Sequence, residues 1–174
     1  MTVLYVISCG SPVARDVGRL VALAHQRSYD VCVVTTPDGR KFVDVPALAE
    51  QTGHPVRSFY KQPGEPDLLP SADAFLVAPA SVNTINKWAA GIADTLALGM
   101  LIEAYGLEKP VVAMPFTTAP MARFPAFQES LAKLRLWGVT VLYGDDVIKL
   151  DSGEADGSRP EFPWHLGLDA LESR

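Results

Sequence analysis

Three polar residues that could bind a flat heteroaromatic ring lie within one short loop. Ser81, Asn83 and Thr84 follow an apolar run typical of a buried strand, and they stand at the start of a helical pattern. Their hydroxyl and amide groups supply the donors and acceptors that bind the edge of such a ring. Serine, asparagine and threonine also cap helices. The loop alone therefore leaves two interpretations open, a ring-binding site and a helix cap.

Two further loops carry groups that suit a phosphate. Gly10 and Ser11 lie between a strand pattern and a helical pattern, where free backbone N–H groups and the helix dipole favour an anion. A simple helix cap explains these residues as well. Thr35 and Thr36 end the next strand and would bring hydroxyl groups to the same anion. One phosphate held by two loops indicates a mononucleotide, and the chain has neither the GxGxxG nor the Walker lysine pattern.

The elements that must position these loops are short apolar runs that alternate with longer helical patterns. Strands that are apolar on both faces and separated by helices predict a parallel sheet covered on both sides. Right-handed crossovers then give an α/β fold, a single doubly wound sheet in a flavodoxin-like or Rossmann-like three-layer sandwich. The predicted strands are residues 3–8, 30–35, 74–78, 111–114 and 139–143. The predicted helices are residues 13–26, 46–52, a long helix that runs through 88–107, residues 124–137, and a short terminal helix.

One edge of this sheet is the expected place of the site, because ligands of parallel sheets bind beyond the carboxyl ends of the strands. The loops already described meet there, together with residues 115–121. We predict one domain, with residues 1–143 as the binding domain. Residues 144–174 would add a mobile loop and the terminal helix to it. Residues 160–164 would either anchor this tail on the core or clamp a ligand.

Composition excludes several classes of partner. The net charge of the 174 residues is −5, and no run of lysine or arginine could neutralise a row of phosphates, so neither nucleic acid nor a membrane surface is expected. Cys9 and Cys32 fall in apolar runs, which predicts buried free thiols and a cytoplasmic setting. Asp94 and Glu103 interrupt the most apolar stretch, which argues against a membrane span. We predict no metal site.

The residues of the third loop and the helix after it carry a family resemblance. Residues 79–94, PASVNTINKWAAGIAD, resemble the PASANT motif and following helix of the homo-oligomeric flavin-containing cysteine decarboxylases. That family includes phosphopantothenoylcysteine decarboxylase and the lantibiotic peptidyl-cysteine decarboxylases. The resemblance runs from about residue 3 to residue 143 and includes the Gly10-Ser11 turn and residues 36–42 and 52–56. Residues 81–94 are its most specific part.

The resemblance implies FMN as the cofactor and a homo-oligomer, either a trimer or a dodecamer of trimers. The residues that would hold the phosphate are Gly10, Ser11 and Thr36. The residues that would meet the isoalloxazine or ribityl are Ser81, Asn83 and Thr84, with Phe116 beside the ring. The family places FMN near a subunit boundary, where the small residues Ala89, Ala90, Gly91 and Ala93 would allow helices to approach closely. The same small residues also suit a core helix.

Two departures from the family concern its chemistry. The relatives carry a catalytic histidine before the PASANT proline, and the corresponding position here is Glu65, with Asp67 nearby. The second family motif, Pro-x-Met-Asn-x-x-Met-Trp, keeps Met121 but has Thr118 in place of the asparagine that helps bind the substrate. Threonine is shorter and has one donor instead of two. Thr118 and Met121 are therefore the candidate substrate-binding residues.

Two functions follow from this pattern. The first is an FMN-dependent oxidoreductase that oxidises or decarboxylates a small thiol or a peptide. Glu65 or Asp67 would then be its general base, and burial would have to raise the pKa of that carboxyl group. The alternative is a non-catalytic or regulatory FMN-binding protein that has lost decarboxylase activity. Such a protein would keep the cofactor loops and lose the catalytic residues, which is the pattern seen in this sequence.

Overall fold

A five-stranded parallel sheet forms the centre of the protein. The computed structural model describes residues 1–144, 147 and 161–173. Within them the strand order is β2-β1-β3-β4-β5, and every neighbouring pair is parallel. The strands are β1 (Thr2–Ser8), β2 (Tyr29–Thr35), β3 (Ala74–Ala80), β4 (Val111–Pro115) and β5 (Thr140–Val141). The prediction of a doubly wound, three-layer α/β sandwich is confirmed.

Helices cover both faces of this sheet. Their bounds are α1 (Val17–Gln26), α2 (Val45–Thr52), α3 (Val82–Ala89), α4 (Leu96–Gly106), α5 (Ala119–Ala122), α6 (Pro125–Leu136) and α7 (Trp164–Glu172). Side chains alternate along a strand, so Tyr5 and Ile7 pack under α3, α4 and α6, whereas Leu4 and Val6 pack under α1, α2 and α7. Two buried apolar layers therefore hold the strand ends in fixed positions.

The prediction of one long helix through residues 88–107 is wrong, because this stretch contains the end of α3 and, after a break, α4. Gly91 has a φ of 73°, a left-handed conformation that ends α3. Thr95 then caps α4, since its Oγ1 accepts a hydrogen bond from the Leu98 backbone N–H at 3.3 Å. The many alanine and leucine residues of this stretch favour helix throughout and conceal both signals. The break brings the start of α4 to the edge where the strands end.

Smaller corrections concern the ends of three elements. The predicted helix 13–26 begins as a 3₁₀ turn, Pro12–Asp16, before α1. The last strand is two residues long instead of the five expected at 139–143, whereas β3 continues through residues 79 and 80. Gly138, the expected cap after α6, does adopt a positive φ of 87°. Strand ends depend on pairing with a neighbour, which periodicity does not show.

The tail packs on the core through its aromatic residues. Phe162 and Trp164 are buried, with ring centroids 4.4 Å apart, and they belong to the apolar layer under α1 and α7. This confirms the anchoring interpretation for these two residues. The loop expected from residue 144 lies mostly outside the described residues. Among the described helices, none has the length and apolar character needed to cross a membrane.

Both thiols are free and buried, as the sequence predicts. Burial raises the pKa of Cys9 above its ordinary value, and burial together with Asp30 raises the pKa of Cys32 to about 12. Because the thiolate is the reactive form, we expect native protein at about pH 8 to leave Ellman's reagent unreacted. Both thiols should react in guanidinium chloride. Release of one equivalent of thionitrobenzoate by native protein would contradict the buried placement.

Candidate functional site

The predicted loops meet around one pocket at the carboxyl edge of the sheet. Its volume is about 310 Å³, which lies within the range of roughly 300–1,000 Å³ typical of small-molecule sites. The residues that line it are Gly10, Thr36, Pro37, Asp38, Ser81, Asn83, Thr84, Lys87, Thr95 and Leu98. Five residues that the sequence proposed as cofactor ligands are therefore brought together: Gly10, Thr36, Ser81, Asn83 and Thr84.

The first loop contains a buried hydroxyl group that lacks a partner. Ser11 is 5% exposed, and among the described residues its Oγ has no hydrogen-bond partner. Ser11 precedes the 3₁₀ turn but its side chain makes no capping bond, so the cap interpretation fails for this residue. A buried hydroxyl without a partner destabilises the fold unless a ligand or water satisfies it. Ser11 adjoins Gly10 in the chain, but Ser11 itself is not among the residues that line the pocket.

The second loop is fastened to the first by backbone contacts. The Thr36 N–H donates to the Ser8 carbonyl oxygen at 3.1 Å. Thr36 Oγ1 accepts from the Gly39 N–H at 3.0 Å, which leaves the hydroxyl proton of Thr36 available to donate into the pocket. A Cβ on Gly39 would lie 2.3 Å from the Ser8 carbonyl oxygen. The two loops therefore approach as closely as their backbones allow.

Asp38 places a carboxylate at the pocket beside these hydroxyl groups. The Lys41 ammonium lies 2.6 Å from its Oδ1, and this hydrogen bond lowers the pKa of Asp38 below its ordinary value. The carboxylate is therefore ionised near neutral pH, and Lys41 compensates its charge. A phosphate bound by Gly10 and Thr36 would meet a neutral pair instead of a bare negative charge.

The third loop contains a hydrogen-bond network that reaches from Cys9, directly after β1, to α3. Ser81 Oγ accepts from the Thr84 N–H at 3.2 Å, so the cap interpretation is confirmed for Ser81. Ser81 Oγ also donates to Thr84 Oγ1 at 3.1 Å, and Cys9 Sγ donates to the same oxygen at 3.3 Å. Thr84 Oγ1 therefore accepts two hydrogen bonds and keeps its own proton to donate. Asn83 is exposed and lines the pocket beside them.

Sequence reasoning missed Lys87, Thr95 and Leu98 as pocket residues. Lys87 lies four residues after Asn83 in α3, so both side chains leave the same helix face. That spacing was visible in the sequence and could have identified Lys87. Thr95 and Leu98 reach the pocket because α4 begins there, and the break before α4 was not predicted.

The two candidate bases, Glu65 and Asp67, lie outside this pocket. Glu65 is exposed, and its Oε2 accepts from the Gln62 N–H at 2.9 Å. Asp67 is exposed and lies 2.6 Å from Lys61 Nζ, whose hydrogen bond lowers the pKa of Asp67. A general base at this position needs the opposite shift, so the condition set for Asp67 is not met. The positions of these carboxylates in the sequence did not indicate their distance from the pocket.

The other three proposed residues also fall outside the pocket lining. Phe116 is buried and packs edge-on against Phe162, with 5.9 Å between ring centroids. This contact explains its aromatic character as core packing. Thr118 is the residue before α5 and is exposed, and Met121 is 52% exposed. The strand before them, β4, is buried, and none of residues 116–121 lines the pocket.

Comparison with known proteins identifies the family. The model of a family described as Flavoprotein matches residues 2–161. A phosphopantothenoylcysteine decarboxylase of Mus musculus is 34% identical over 116 residues, which are 63% of this chain and 56% of the mouse protein. A probable phosphopantothenoylcysteine decarboxylase of Streptococcus mutans is 30% identical over 125 residues, covering 67% of this chain and 69% of its own length. The match thus spans little more than half of the mouse protein.

A solved structure shares the fold over nearly the whole chain. The crystal structure of SpaF, described as an FMN-dependent cysteine decarboxylase, superposes with a TM-score of 0.78. The superposition covers 99% of this chain and 97% of SpaF at 23% sequence identity. At that identity the likeness concerns the fold.

Proposed function

The chain belongs to the Flavoprotein family, and on that premise we propose that it binds FMN in the pocket at the carboxyl ends of β1, β2 and β3. The observation that carries the proposal is the meeting of three loops around one cavity, with Gly10, Thr36 and Ser81 among its lining residues. The buried Ser11 hydroxyl, which lacks a partner among the described residues, fits an anion at the same edge.

The residues of the two phosphate loops would act by position and hydrogen bonding. The Gly10 backbone allows close approach, because even a Cβ there would meet Asp38 Cβ at 3.2 Å. Ser11 and Thr36 would donate hydroxyl protons to phosphate oxygens. Asp38 with Lys41 would add no net charge. These groups suit a singly phosphorylated ligand, and we therefore expect a preference for FMN over unphosphorylated riboflavin.

The residues of the third loop would hold the ring system. Thr84 keeps a hydroxyl proton to donate, and Asn83 offers both a donor and an acceptor. The N-terminus of α3 directs a positive dipole end toward the same place. Bound FMN would supply an acceptor for two electrons. The chain itself would orient the ring and limit the access of water to it.

We propose that the activity is that of a decarboxylase-like oxidoreductase that acts on a small thiol or on a peptide. The curated relatives are decarboxylases by name, which supports this class. We also propose a homo-oligomer, a cytoplasmic location and a single domain that includes residues 161–173. The substrate-binding role of Thr118 and Met121 and the ring contact of Phe116 would require a second copy of the chain or a rearrangement.

A non-catalytic FMN-binding protein is the second candidate, and one observation favours it. Neither Glu65 nor Asp67 lines the pocket, and Lys61 lowers the pKa of Asp67. Within the described residues, the pocket lining therefore offers a single carboxylate, that of Asp38, which Lys41 also keeps ionised. Binding without turnover is what such a lining would support.

Anaerobic mixing with thiols separates the two candidates. Protein loaded with FMN is mixed with peptides that end in cysteine and with a panel of small thiols, and the visible flavin band is followed. Bleaching by one class of thiol, with release of carbon dioxide, supports the enzyme. A stable band across the whole panel, with dithionite bleaching as the positive control, supports the binding protein.

A further inference from the structure

Lys87 is the one cationic side chain among the described residues that line the pocket. Its Nζ lies 2.5 Å from Asp94 Oδ2, and the side chains are 31% and 51% exposed. The other charged residue of the lining, Asp38, has its own partner in Lys41. In the pocket without ligand, Asp94 is therefore the group that neutralises Lys87.

The turn between α3 and α4 holds Lys87 in place from two sides. The Lys87 carbonyl oxygen accepts from the N–H groups of Ala90 at 3.2 Å and Ile92 at 2.9 Å. Asp94 follows in the same turn and directly precedes Thr95, which lines the pocket. The backbone bonds therefore fix the turn, and Asp94 holds the ammonium group of Lys87 beside the pocket.

Lys87 can exchange its ion pair with Asp94 for an ion pair with an anionic ligand at a small cost in free energy. Ion pairs between half-exposed side chains contribute little, because water solvates both groups when they separate. A negative charge inside the pocket is less well solvated and interacts more strongly with the same ammonium. Lys87 would therefore interact more strongly with a ligand that acquires negative charge in the pocket than with Asp94.

We propose that Lys87 stabilises the negative charge that bound FMN gains on reduction, and that Asp94 opposes this effect. The proposal rests on the proposed function. Two electrons and one proton convert the ring to its anionic reduced form, FMN + 2e⁻ + H⁺ → FMNH⁻, with dithionite as the electron source in the test. Charge placed near the ring nitrogens is one of the ways in which a protein sets flavin electronics. Lys87 raises the reduction potential, and Asp94 lowers it.

The test measures the midpoint potential of bound FMN in wild type, Lys87→Met and Asp94→Asn, by dithionite titration against a reference dye. Lys87→Met should weaken binding of the reduced form about tenfold relative to the oxidised form, which is about 30 mV toward negative potential for two electrons. Asp94→Asn should shift the potential in the positive direction. Both variants break the same ion pair, so a role limited to holding the turn would move both potentials in one direction or leave both unchanged.

Three controls complete the design. Lys87→Arg keeps the charge and should keep the wild-type potential. Lys109→Met removes a lysine that lies 3.9 Å from Asp73, outside the pocket lining, and should leave the potential unchanged. Thermal unfolding of each variant checks that the fold persists.

The outcomes distinguish this inference from the proposed function. Wild type that binds no FMN overturns both. Wild type that binds FMN, with Lys87→Met at the wild-type potential, overturns only the role of Lys87. Equal weakening of oxidised and reduced FMN, with riboflavin binding unaffected, assigns Lys87 to the phosphate and also overturns it.

Discussion

Gly39→Ala is expected to abolish FMN binding and to lower the free energy of unfolding by about 3 kcal/mol. The added Cβ would lie 2.3 Å from the carbonyl oxygen of Ser8, the last residue of β1, and 3.1 Å from the carbonyl carbon of Cys9, which leads into the first loop. It would also lie 3.0 Å from Thr36 Oγ1, whose hydrogen bond holds Gly39. Relief of this overlap must separate the two loops that we propose as the phosphate site.

Urea unfolding and FMN titration of the same variant measure both effects. Gly106→Ala serves as the matched control, because a Cβ on this residue of α4 meets no heavy atom within 4 Å. We expect it to remain within about 0.5 kcal/mol of wild type and to bind FMN normally. Wild-type stability and FMN affinity in Gly39→Ala would contradict the close approach of the two loops.

Leu168→Ala is expected to lower the free energy of unfolding by about 3 kcal/mol. Leu168 is fully buried in the apolar layer that α7 shares with α1 and the sheet. The site is also tight, because a Cβ on the neighbouring Gly167 would lie 2.7 Å from Met114 Sδ. A cavity in such a site cannot close by small shifts, so most of the lost packing energy would appear in the measurement.

The control for this prediction is Leu136→Ala, the same change at a side chain that is 84% exposed. It should stay within about 0.5 kcal/mol of wild type. Chemical unfolding of Leu168→Ala should remain a single transition at a lower midpoint, because we propose that α7 belongs to the same domain. An unchanged midpoint, or a separate early transition for the tail, would show that α7 contributes no stability to the sheet.

The architecture was accessible from the sequence because buried parallel strands are apolar on both faces. The runs around Val6, Val33 and Val77 need no knowledge of their neighbours to be recognised. The helix break at Gly91 was missed because the glycine lies among alanine residues, and only the conformation shows that it ends α3. The short β5 was overestimated because its length depends on pairing with β4.

The site was predictable where it depends on topology and not where it depends on packing. Gly10, Thr36 and Ser81 were found because each follows a strand whose carboxyl end must lie at one edge. The loop that carries Glu65 follows no such end, so its distance from the pocket could not be derived. Phe116 does follow a strand, but Phe162 from the tail packs on its ring. A local sequence pattern does not predict a contact between residues so distant in sequence.

Parallel titrations of the purified wild-type protein with FMN and with riboflavin, followed by flavin fluorescence, address the phosphate and the ring at once. The arrangement of Gly10, Ser11 and Thr36 predicts saturable binding of one FMN per chain, with riboflavin bound more weakly. Failure of both flavins to bind would contradict the pocket as a flavin site. Equal affinity for the two flavins would contradict the assignment of the first two loops to a phosphate.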